Sequence, residues 1–188
     1  MAKIHRGATL IPGFREFLPQ WVARQPWYRG AGVPALRPIG FYRLEDPDGE
    51  VGMEAHLVSD GSDLYHVPLT YRGAALPDVP PEALLATPEH SVLGTRWIYD
   101  GQHDPTFRAR VLDLVRTGGV SDPADRSGVG PAEARGVARR PLPADGVEVV
   151  RVLTPGPPPD AAGVVVGTWR PDGPDGEPVT GCLAVVGT

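Results

Sequence analysis

The residues able to do chemistry in this chain are few and scattered. Its five histidines are His5, His56, His66, His90 and His103. If 50–58 and 64–72 pair as a hairpin across the turn signal at 59–62, His56 and His66 fall on its more polar face with Glu54 and Arg72. Two imidazoles and a carboxylate are metal-ligand types, but a metal centre needs three or four convergent ligands. The set therefore reads as surface residues, or as a polar docking face. Asp100 and His103, in Asp100-Gly101-Gln102-His103-Asp104, could form an acid–base pair. A strand-to-helix turn capped by an aspartate explains the same residues more simply. The aromatics Trp21, Trp27, Tyr28, Tyr65, Tyr71, Trp97 and Tyr99 could stack on a sugar ring or fill a core. Spacing assigns Trp21, Tyr65 and Trp97 to the core. Trp27, Tyr28, Trp97 and Tyr99 remain candidate ligand aromatics. No phosphate-binding glycine loop, nucleophile elbow or helical His pair is present.

These side chains need elements to position them. Residues 3–10 read as a short strand. Phe14, Phe17, Leu18, Trp21 and Val22 make one apolar helical face. Pro19 within it calls for a kink or a late helix start. Residues 39–45, 50–58, 64–72 and 91–100 read as an antiparallel meander, with one helical turn near 80–85. Polar residues alternate with Val51, Met53, Ala55 and Leu57, which predicts a sheet covered on one side only. Residues 104–117 are the clearest helix. Asp104 is its N-cap, Pro105 its first residue and Gly118 its C′ residue. A stretch rich in Gly, Pro, Ala, Asp and Arg, 119–145, reads as a mobile linker. Three short strands follow at 147–153, 163–169 and 179–186.

Composition limits the function classes. The 188 residues are 41% apolar and 22% charged, enough for a folded core, and 24 Gly with 23 Pro predict short elements and many turns. A net charge of −5 gives no general attraction to nucleic acid or anionic lipid. The cluster Arg135, Arg139 and Arg140 reads as solvated linker. The single cysteine, Cys182, excludes an internal disulfide and a thiolate metal cluster. No apolar run reaches the length of a signal peptide or a membrane span, so a cytoplasmic location is expected.

Three segments in order, FREFLPQWVARQPWYRG (14–30), DLYHVPLTYRG (63–73) and GTRWIYDGQHDPTFRARVLDLV (94–115), resemble the N-terminal cap of actinobacterial maltokinases. The likeness covers 1 to about 118. It implies an α+β fold, a curved antiparallel sheet packed on an N-terminal and a second helix, similar to a cystatin-like unit. The short strand-rich part would be an extension at 146–188. It also implies association with a kinase lobe, in a family that phosphorylates maltose with ATP and feeds α-glucan synthesis from trehalose. The family's chemistry needs a nucleotide-gripping lysine, a catalytic aspartate loop and a metal-binding aspartate. The only lysine here is Lys3, and no catalytic residue carries over.

The expectation is a non-catalytic accessory or regulatory module without a cofactor or metal. Its partner would be a carbohydrate kinase or another trehalose or glucan enzyme. Trp27, Tyr28, Arg29, Glu54, His56, His66 and Arg72 are the candidate contacts. A carbohydrate- or small-molecule-binding domain, and a subunit of a maltokinase-related sugar phosphotransferase, are the alternatives.

Overall fold

The computed structural model describes residues 7–122 and 129–187. The expected strand at 3–10 falls partly outside that range. Within it, a two-residue strand β1 (Leu10–Ile11) precedes helix α1 (Phe14–Val22). The Glu16 carboxylate accepts a hydrogen bond from the Gly13 N–H at 2.7 Å and so starts the helix ahead of Pro19. Phe17, Leu18, Trp21 and Val22 form its buried face.

The meander follows as β2 (Arg37–Leu44), β3 (Gly52–Ser59) and β4 (Leu64–Arg72). Three short strands come next: β5 (Leu84–Ala86), β6 (Glu89–His90) and β7 (Gly94–Thr95). Strand β8 (Trp97–Asp100) leads through a single helical turn to α2 (Pro105–Thr117). The expected strand at 91–100 is therefore two strands in different sheets. Asp104 caps α2 by accepting from the Thr106 N–H at 2.8 Å, and Gly118 closes it in the left-handed conformation at φ 64°.

Beyond α2 lie β9 (Gly130–Pro131), β10 (Glu133–Ala138), β11 (Val147–Val149), β12 (Gly163–Trp169) and β13 (Val179–Val186). The stretch expected to be a linker thus contains an ordered strand. Its pattern escaped notice because the inward positions of β10 are Ala134 and Gly136, too small to register as a hydrophobic period.

One sheet runs β5-β8-β4-β3-β2-β9, antiparallel except for the β2–β9 contact. A second, fully antiparallel sheet runs β10-β12-β13-β11, and β1-β6-β7 form a small third. With the two α-helices among the described residues, this is an α+β fold, as expected.

Both faces of the large sheet are covered, which corrects the expectation of one solvated face. On one side Met53, Ala55 and Leu57 of β3 share a core with Phe107, Val111 and Val115 of α2 and with Val165, Trp169 and Leu183 of the second sheet. On the other, Val58, Tyr65, Val67 and Leu69 pack against the apolar face of α1. The C-terminal strands therefore belong to the main core. No helix among the described residues is long and apolar enough to cross a membrane.

Candidate interaction site

The β3–β4 register decides where the flagged histidines lie. The connecting loop, 60–63, places Ser59 opposite Leu64, so even-numbered residues of one strand face odd-numbered residues of the other. His56 pairs with Val67, and His66 pairs with Leu57. The two imidazoles point to opposite faces, and the shared polar face of His56, His66, Glu54 and Arg72 does not exist. A hairpin loop one residue longer or shorter would have joined them.

His56 lies on the α1 side, buried between two rings. Its centroid is 4.3 Å from that of Phe14 and 5.8 Å from that of Phe41, which stacks on it nearly parallel. Its Nε2 is 3.4 Å from the Glu54 carboxylate, which also accepts from the Tyr71 hydroxyl at 3.4 Å and lies 3.8 Å from Arg43.

His66 lies on the opposite side, where the C-terminal segment crosses β4. The Tyr42 hydroxyl donates to Nε2 at 3.0 Å and Nδ1–H donates to the Val150 carbonyl at 3.3 Å, which sets the tautomer. Burial, helped by the nearby Arg151 guanidinium, lowers the His66 pKa to about 3, so the ring is neutral. Burial likewise pushes the Tyr42 phenol well above its usual range. The pair is a satisfied core element.

Arg72 grips the start of α2. Its Nε and Nη2 donate to the two Asp104 carboxylate oxygens at 2.7 Å each, and Nη2 also donates to the Thr106 hydroxyl at 2.7 Å. Burial alone would raise the Asp104 pKa. The Arg72 fork and the Thr106 N–H outweigh it and hold the carboxyl below its usual range.

The flagged aromatics also separate. The half-buried Trp27 ring sits 5.7 Å from those of Trp21 and Tyr65, and Tyr28 sits 5.7 Å from Tyr65. Trp97 and Tyr99 are opposite Arg72 and Thr70 in the β4–β8 register, on the other face of the sheet. The Tyr99 hydroxyl accepts from the Leu76 N–H at 3.0 Å. The four make no common stacking platform. Of the seven candidate contacts only Arg29 is exposed, its side chain at 63%, and it lies 3.5 Å from Asp63.

Asp100 and His103 do not form an acid–base pair open to a substrate. The Asp100 carboxylate is buried, accepts the Gln102 N–H at 3.2 Å and pairs with Arg151 at 2.5 Å. His103 Nε2 stands 3.9 Å away. The capped turn is what the structure contains. Arg151 and Gln102 were missed. Gln102 donates to the Val147 carbonyl at 3.0 Å and accepts from the Val149 N–H at 2.7 Å, so one side chain completes the free edge of β11. The signal for Arg151 was present: a lone charge inside the apolar run Val149-Val150-Arg151-Val152-Leu153.

Among the described residues no group of three His, Cys, Asp or Glu is placed to hold a metal. The surface does contain a groove of about 620 Å³ between α1 and residues 33–38, floored by Phe14, Leu18, Leu36 and Val58.

Residues 21–104 match the family profile of the maltokinase N-terminal cap domain. The matched segment begins in α1, takes in β2 to β8 and ends at the N-cap of α2. The family resemblance read from the sequence is borne out over that segment. No curated protein matches the chain.

Proposed function

We propose that this chain, which carries a maltokinase N-terminal cap domain over residues 21–104, acts without catalysis as an accessory module on a carbohydrate kinase or a related enzyme of maltose, trehalose or α-glucan metabolism. The match carries the reading, because a cap domain of that family implies a kinase domain to act upon. The geometry supports it. His66, Asp100 and Asp104, three groups of acid–base type, are each committed to buried contacts that hold secondary structure together. A group so engaged is not free to exchange protons with a substrate.

The test has two arms. Purified chain added to a separate maltokinase should change its kcat or KM for maltose, and tagged chain should retain that kinase on a column. The chain alone, given maltose, ATP and magnesium, should form no phosphorylated sugar. Robust phosphorylation by the pure chain would overturn the reading, as would the absence of any effect on, or capture of, a carbohydrate kinase.

A further inference from the structure

The groove beside α1 has a floor and a rim of different character. Its floor is apolar, from Phe14, Leu18, Leu36 and Val58. Val33 at the rim is 53% exposed although it lines an apolar surface. Pro34 and Pro38 form much of one wall and Pro19 contributes to the other. Prolines have no N–H and a fixed φ, so the walls are stiff and poor in hydrogen-bond donors. A preformed trough of this kind loses little entropy when filled.

The charges along it are unbalanced. Arg15 lies on the α1 side and Arg37 at the start of β2, and both are exposed. The acid lining the groove, Glu16, has its carboxylate engaged by the Gly13 N–H. Neither arginine has an ion-pair partner among the described residues. The lining therefore offers an apolar channel edged by two free guanidinium groups, which favour carboxylates through forked hydrogen bonds.

We infer that this groove docks an extended peptide segment of a partner protein, apolar on the side that enters and flanked by aspartate or glutamate. The inference goes beyond the proposed function and holds whether or not the partner is a kinase. None of Trp27, Tyr28, Arg29, Glu54, His56, His66 and Arg72 lines the groove, although Phe14 in its floor packs on the His56 ring.

A random-sequence peptide library selected on the intact chain tests it. Sequences with apolar residues beside acidic ones should be enriched. A representative enriched peptide should bind about tenfold more weakly to Arg15→Ala/Arg37→Ala, a change of about 1.4 kcal/mol, and more weakly to Val33→Asp. Arg15→Glu/Arg37→Glu should enrich basic, apolar sequences instead. All these positions are exposed, so thermal unfolding followed by circular dichroism should show the variants folded. No enrichment overturns the proposal, as does enrichment indifferent to the charge reversal. A self-associating chain whose dimer is broken by Val33→Asp would overturn it too, because the occupant would then be a second copy.

Discussion

The Arg151 guanidinium lies 2.5 Å from the Asp100 carboxylate and 5.4 Å above the centre of the Trp27 ring. One side chain of the C-terminal segment thus ties together the end of β8 and the turn after α1. Both charged groups are nearly removed from water, so neither can be left alone cheaply. Asp100→Ala or Arg151→Ala should each lower the unfolding free energy by about 3 kcal/mol in urea titrations. The double substitution should cost less than the sum, since it leaves no orphaned charge. Additive losses would show that the pair is not coupled.

His66 makes stability depend on pH. Its folded pKa, about 3, lies below the usual value of 6.5, so the unfolded chain binds the extra proton between those limits. Stability from this group is complete above the unfolded value and is lost as pH falls through the window. Between pH 7 and pH 5 the loss should be about 2 kcal/mol, before carboxylates titrate heavily. His66→Gln should flatten that part of the profile, whatever it does to stability at pH 7. An unchanged slope in the variant would mean that His66 is not the group responsible.

Gly136 marks the closest approach of α2 to the second sheet. A methyl group there would come within 2.0 Å of the Leu114 carbonyl oxygen and 2.6 Å of the Val115 Cα. These are backbone atoms of a helix and cannot rotate away. Gly136→Ala should cost about 3 kcal/mol, an over-packing loss at the upper end of the usual range. Thermal unfolding would show it; a near-neutral effect would place α2 farther from β10 than described.

The family match ends at residue 104, yet the fold continues past it. Val147, Val149, Leu153, Val165, Trp169, Leu183 and Val186 belong to the same core as Met53, Leu57 and Phe107. Each buried side chain of this size contributes about 1.5–3 kcal/mol. Together they contribute about 10–20 kcal/mol, as much as the whole net stability of about 5–15 kcal/mol typical of a domain. A chain cut before residue 146 should lose cooperative unfolding and bind a hydrophobic dye, whereas the full chain should unfold in one transition.

The sequence was most legible where a few neighbouring residues suffice. Helix α2 announced itself through Asp104, Pro105 and Gly118, whose capping bonds reach only a few residues along the chain. Strand β4 matched its expected bounds because turn residues frame a run rich in extended-prone side chains, Tyr65, Val67, Thr70 and Tyr71, which outweigh the Pro68 among them. Strand β10 was hidden because α2 presses on it so closely that Ala134 and Gly136 take the places of larger apolar residues.

The candidate site was another matter. Residue types alone established that the chain has one lysine, one cysteine and few groups fit for chemistry, and local periodicity established the helices and most strands. Tertiary structure alone decided that His56 and His66 face apart, that Arg72 clamps Asp104, and that Arg151 reaches Asp100. The reason is physical. Caps, turns and amphipathic faces are settled within a few residues, whereas register and the burial of a charge depend on which distant strand arrives alongside.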